Sequence, residues 1–250
     1  MRDYRWIFLD ADNTLFDFTR SEGEALLQVL RRWGCPSGPE AVAAYKRENE
    51  CLWERFDQGL VSREWLVVER FRRFLAWAGA PGDPEAMNRA YLDALASLPY
   101  LLPGAEEFCA RMSARAELVI LTNGITAAQT GRLEGSAIRP YISRMFISQD
   151  MGCQKPDLEF FRQVFQALGL DPARRQEAVM VGDGLATDVL GGLRAGLKTV
   201  WFNPRGLENR TGLHPDWEVG SFQELEAVLL GGKKEEKSRN EANFLSGGAV

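Results

Sequence analysis

Four short apolar runs, each stopping at a polar residue, constrain this chain more than any other feature. They are Trp6-Ile7-Phe8-Leu9 before Asp10, Leu118-Val119-Ile120-Leu121 before Thr122, Ala178-Val179-Met180-Val181 before Gly182-Asp183, and Thr199-Val200-Trp201-Phe202 before Asn203-Pro204. A continuous apolar run of this length fits a parallel strand buried on both faces. Met145-Phe146-Ile147-Ser148 is a fifth, weaker candidate. From residue 104 onward the runs are separated by amphipathic helix patterns over 104–114, 125–134, 157–168 and 186–195, the last stopping at Gly196. Strand and helix alternate, which predicts an α/β fold with a mainly parallel sheet.

Residues 18–98 break the alternation. They hold no convincing strand, but they do show helical periodicity, as in Ala25-Leu26-x-x-Leu30-x-x-Trp33 and Trp65-x-x-Val68-x-x-Phe71-x-x-Phe74-Leu75-x-Trp77. Turn signals at Gly34-Cys35-Pro36, Gly59, Gly79-Ala80-Pro81-Gly82 and Leu98-Pro99 divide the stretch into about four helices. So long a strandless segment reads as an inserted helical cap, the alternative being helices that complete the core. The α/β core is then 1–17 with 99–230, and the polar stretch 231–250 is expected to be a flexible tail.

A formal charge of −5 without a basic stripe argues against a nucleic-acid polymer as partner. It leaves room for a small phosphorylated metabolite bound at a locally cationic site. No apolar run approaches a membrane span, and no signal peptide is expected at the start. Cys35, Cys51, Cys109 and Cys153 form no CxxC pair, and they are read as reduced thiols of a cytoplasmic protein. His214 is the single histidine, so zinc sites built on several histidines are excluded. Most of the seven tryptophans are expected in the core.

Four segments carry chemistry. Asp10-Ala11-Asp12-Asn13-Thr14-Leu15 places two carboxylates beyond a strand end, where open parallel sheets bind ligands. A hard cation such as Mg2+ would relieve their repulsion, although a turn or helix cap uses the same residues. Thr122-Asn123-Gly124 offers a hydroxyl and an approachable backbone to phosphate oxygens, or simply an N-cap. Lys155, before Pro156, would neutralise phosphate charge if it lay near the carboxylates, and would otherwise be solvated. Gly182-Asp183-Gly184 ends a strand at the same sheet edge as Asp10, with Asp188 one helical turn further on.

Taken in this order, the four segments resemble the haloacid dehalogenase-like superfamily of phosphohydrolases over nearly all of residues 4–230. The opening Trp6–Phe16, the segment Asn49-x-x-Leu52-Trp53-x-x-Phe56-x-x-Gly59 and the run Asp188-Val189-Leu190-Gly191-Gly192 look like bacterial house-cleaning pyrimidine 5′-nucleotidases. The resemblance implies a Rossmann-like core with a helical cap that chooses the substrate. It implies Asp10 as nucleophile and Asp12 as general acid and base. Mg2+ would be held by Asp10, the Asp12 main-chain carbonyl and Asp183. Thr122, Asn123 and Lys155 would bind phosphate, and Asp188 would steady Lys155 or a metal-bound water. Phe16, Asn49 and Trp53 are the candidates for contacting the sugar or base of a nucleoside monophosphate. Three alternatives stay open: a phosphatase of a sugar phosphate or phosphoglycolate, a metal-independent haloacid dehalogenase, and a phospho-accepting signalling module.

Overall fold

The computed structural model describes residues 4–231; the expected tail, apart from Gly231, lies outside them. In chain order the elements are β1 (Trp6–Leu9), α1 (Phe18–Arg32), α2 (Pro39–Asp57), α3 (Arg63–Ala78), α4 (Pro84–Ala96), α5 (Ala105–Ser113), β2 (Glu117–Thr122), α6 (Thr126–Glu134), β3 (Ile142–Ile147), α7 (Ser148–Met151), α8 (Leu158–Leu168), β4 (Ala178–Gly182), α9 (Leu190–Arg194), β5 (Lys198–Phe202), β6 (Trp217–Val219) and α10 (Phe222–Leu229).

The strands form one parallel sheet in the order β3-β2-β1-β4-β5-β6. The first strand is therefore central, and the chain departs to both sides of it, which opens a crevice at the strand carboxyl ends. The apolar runs show no alternation because both faces are covered. Ile7, Leu9, Leu118, Ile120, Val179 and Val181 face one core with α5 and α10 residues such as Phe108 and Phe222. Trp6, Phe8, Val119, Leu121 and Met180 face the other, packed by Phe160, Phe161 and Val164 of α8.

Between β1 and the sheet's second strand, α1–α4 gather around their own apolar cluster, which includes Leu26, Tyr45, Phe71, Phe74, Met87 and Tyr91. Local sequence sets their starts. The side chains of Asp17, Ser62 and Asp83 accept from the backbone N–H groups of Arg20, Trp65, and Glu85 with Ala86, and Pro39 and Pro84 open α2 and α4.

Several expectations need correction. The fifth strand starts at Ile142, three residues before the weak apolar run, because pairing with Leu118 extends it. The helix expected over 186–195 opens with a π turn, Leu185–Val189, ahead of α9. The short strand β6 and α10 were not foreseen, since three residues are too few to show a period. On α3 the buried stripe is Leu66, Arg70, Phe71, Phe74 and Leu75, while Trp65 and Trp77 lie exposed. Of the seven tryptophans only Trp6 and Trp201 are buried. The four cysteines are free, and His214 is exposed in the loop before β6. Among the described residues no helix is long and apolar enough to cross a membrane.

Candidate active site

Asp10, Thr122 and Asp183 stand at the carboxyl ends of the three central strands because β1 pairs with β2 and β4 in matching register, Leu9 opposite Ile120 and Val181. The Asp10 N–H continues that ladder to the Val181 carbonyl at 2.9 Å. Asp12 follows on a tight loop in which Leu15 and Phe16 N–H both donate to the Ala11 carbonyl and Asn13 adopts φ +58°.

Lys155 reaches this edge from the loop after α7. Asn123 holds its backbone on both sides: the amide Nδ2 donates to the Lys155 carbonyl at 2.9 Å, and Oδ1 accepts from the Lys155 N–H at 3.0 Å. The Lys155 ammonium is buried and donates to Asp10 Oδ1 at 2.7 Å, Asp188 Oδ1 at 2.6 Å and the Leu121 carbonyl at 2.5 Å. All three of its donors are thus spent on protein, which leaves Lys155 only its charge to offer an anion in the cleft. Burial alone would lower its pKa, but Asp10 and Asp188 raise it, so it stays an ammonium. Asp188 accepts on its other oxygen from the Gly184 N–H at 3.0 Å. That approach requires glycine at 182, where an added Cβ would lie 2.2 Å from the Asp188 carboxylate. The Thr122 hydroxyl accepts from the Gly124 N–H at 3.0 Å and keeps its own proton to donate.

Asp10, Asp183 and Asp188 offer carboxylate oxygens within 4.8 Å of one another. Burial, with the neighbouring carboxylates adding to it and Lys155 opposing it, holds Asp10 well above the usual carboxylate range. Burial and the Asp188 charge push Asp183 up to about 7, against the opposing charges of Arg205, exposed and 3.9 Å away, and of Lys155. Three crowded carboxylates facing one ammonium are short of positive charge, and hard oxygen donors in this number suit a divalent cation such as Mg2+.

The Asp12 carboxyl is not part of this cluster. Its Oδ1 accepts from the Arg132 guanidinium at 2.5 Å and its Oδ2 from the Gln129 amide at 2.7 Å. Neither partner was singled out from the sequence. Gln129 and Arg132 stand three apart on one face of α6 and lie 117 and 120 residues from Asp12 in the chain, so only that spacing hinted at them.

A cleft of about 310 Å3 runs between this edge and the helical insertion, with Trp53, Arg70, Tyr91 and Leu95 on the insertion side. Two of the three substrate candidates change role. Phe16 is 0% exposed in the sheet core, its ring beneath the Arg132 guanidinium, and does not line the cleft. Asn49 is buried inside the insertion, donating to Glu22 and accepting from Arg70, because a polar side chain on an inward helix face must find its partners there. Trp53 remains, half-buried in the cleft wall and edge-on to Phe56.

Comparison with known proteins places this geometry in context. The family model for haloacid dehalogenase-like hydrolases matches residues 4–196. The chain is 35% identical to pyrimidine 5′-nucleotidase PynA of Streptococcus pneumoniae, over 89% of its own length and 93% of that protein. It is 34% identical to pyrimidine 5′-nucleotidase YjjG of Escherichia coli, over 90% and 97%. A crystal structure of Bacillus subtilis YfnB bound to magnesium superposes with a TM-score of 0.85 at 32% identity, covering 90% of this chain and 98% of that one.

Proposed function

Since the chain belongs to the haloacid dehalogenase-like hydrolases, we propose that it cleaves phosphate monoesters with Asp10 as nucleophile, nucleoside 5′-monophosphates of the pyrimidine type being its substrates. The observation that carries the reading is the meeting of Asp10, Asp183 and Asp188 with one buried lysine at the ends of β1 and β4.

An Asp10 oxygen attacks phosphorus in line with the ester bond, giving an aspartyl phosphate. Asp12 gives its proton to the departing ester oxygen, then takes one from the water that hydrolyses the aspartyl phosphate. Thr122 and the backbone at Asn123 donate to the phosphoryl oxygens, while Lys155 supplies positive charge behind them. Asp10, Asp183 and the Asp12 main-chain carbonyl are the groups that would hold Mg2+, with Asp188 fixing Lys155. When bound, the ion screens the nucleophile from the anionic phosphate.

Residues 18–98 serve as the substrate-choosing cap. Trp53 presents an aromatic ring to the cleft, a surface on which a flat base can stack. The relatives named pyrimidine 5′-nucleotidase support the same choice. Release of inorganic phosphate is measured with and without Mg2+ across pyrimidine and purine monophosphates, sugar phosphates and phosphoglycolate. The expected result is Mg2+-dependent turnover with pyrimidine nucleotides ahead; a preference for a non-nucleotide ester would overturn the substrate assignment, and turnover in the presence of a chelator would overturn the cation.

A further inference from the structure

The mechanism needs Asp12 to face the leaving oxygen, yet Asp12 sits on a loop and its side chain is 27% exposed. What orients it comes from α6. Its two carboxylate oxygens accept one hydrogen bond each, from Arg132 and from Gln129. Each oxygen therefore keeps a lone pair on which a proton can be carried. Arg132 is fully buried, and its Nε and Nη1 find no hydrogen-bond partner among the described residues. Burying a guanidinium with donors unpaired is costly, so nothing in general packing accounts for this arginine. The rings of Phe16 and Phe18 hold it in place, with their centroids 5.0 and 5.6 Å from its central carbon. The reach of Gln129 is also built in: a Cβ on Gly124 would lie 2.1 Å from its amide nitrogen, so the side chain crosses where only glycine leaves room.

The same helix is anchored in both halves of the molecule. Leu133 belongs to the sheet core, Ala128 to the core of the insertion, and Gly131 packs so closely on α4 that an added Cβ would lie 2.6 Å from that of Ala96. The orientation of Asp12 is thereby tied to the seating of the helical insertion.

We propose that Gln129 and Arg132 are positioning residues that aim the Asp12 carboxyl at the leaving-group oxygen, so that α6 couples the helical insertion to proton transfer. The inference rests on the reading of Asp12 as general acid. In that step the bond from phosphorus to the ester oxygen breaks as the bond to Asp10 forms, and the ester oxygen leaves with the Asp12 proton. An ester whose leaving group departs as a stable anion has no need of that proton, which separates positioning from mere structure.

The test measures kcat/KM in the full-length chain with Mg2+, for a pyrimidine nucleoside 5′-monophosphate and for p-nitrophenyl phosphate, alongside the melting temperature. In Arg132→Met and Gln129→Leu the nucleotide value is expected to fall by about 10- to 100-fold, a part of what a general acid supplies. The p-nitrophenyl phosphate value is expected to stay within about threefold. Arg132→Lys, which keeps one charged donor, should fall between wild type and Arg132→Met. Gln129→Leu leaves the ion pair intact and keeps the test open if Arg132→Met fails to fold. Equal losses on both esters in a folded variant, or no loss on either, would overturn the inference. A rise in KM alone would do so too, by making these side chains substrate binders. A wild-type chain that releases phosphate from neither ester would instead overturn the phosphatase reading itself.

Discussion

Two buried polar clusters face each other across the cleft, and they are built on opposite electrostatic plans. In the insertion, Arg70 donates to Asn49, Asn88 and the Val67 carbonyl, Asn49 donates on to Glu22, and Lys46 lies 3.7 Å from the same Glu22 carboxylate. Every charge there has a partner, so the cluster locks α1–α4 together and asks for no ligand. At the sheet edge, Asp10, Asp183 and Asp188 share one lysine, and two of the three carboxyls are pushed upward by burial and mutual repulsion. A satisfied polar network is architecture, whereas an unbalanced one in a cleft supports the proposal of a cation and an anionic ligand there.

That contrast breaks most visibly at Asp10. Asp10→Asn keeps an acceptor for Lys155 but removes the nucleophile. Turnover measured by phosphate release should fall on the order of 10^4-fold with the melting temperature held or raised. Near wild-type turnover would remove the sheet-edge cluster from the chemistry. Lys155→Met comes next: it strips two buried carboxylates of their common partner and should cost about 3–5 kcal/mol in a denaturant melt, with activity lost as well. A stable variant would mean that the carboxylates already stand neutral.

On the insertion side the expected effects are smaller and of different kinds. Trp53→Ala should raise KM for a nucleotide by about 5- to 100-fold while sparing a small phosphate ester, if the ring stacks on a base; equal KM changes for both would place Trp53 in packing. Asn49→Ala should destabilise by about 1–3 kcal/mol, leaving Glu22 and Arg70 short of a partner. Its kcat/KM should be unchanged, and a selective loss there would return Asn49 to the substrate.

The smallest expected effect concerns pH. Between the usual carboxylate pKa near 4 and the value of about 7 at Asp183, the unfolded chain has released protons that the folded site still holds. The metal-free protein thus loses stability as pH rises through that window, and the loss is complete above it. Added Mg2+ should raise the melting temperature by a few degrees more at pH 8 than at pH 5.5. An equal gain at both would argue that the cluster does not bind the ion.

The structure brings together those candidates from the sequence that stand at an element's end. Asp10, Thr122 and Asp183 are legible because an apolar run stops beside each, and in a parallel sheet every such stop faces the same edge. The reading from sequence failed at Phe16 and Asn49, whose neighbourhood in the chain suggested substrate contact while both side chains turn inward. It also passed over Gln129 and Arg132, since nothing local marks a helix residue whose partner is more than a hundred positions away.

The order and spacing of apolar runs by themselves determined a parallel α/β core, a four-helix interruption after its first strand, and the strand ends where acidic and hydroxyl groups gather. Those are properties of short segments, set by periodicity and turn chemistry. Only the tertiary structure decided which inward-facing polar groups meet: that Lys155 is enclosed by Asp10 and Asp188, that Asp12 is gripped from α6, and that Asn49 belongs to a closed hub. Burial raises the cost of an unpaired polar atom, so such pairings are chosen by the packing of distant elements and leave little trace in the local pattern.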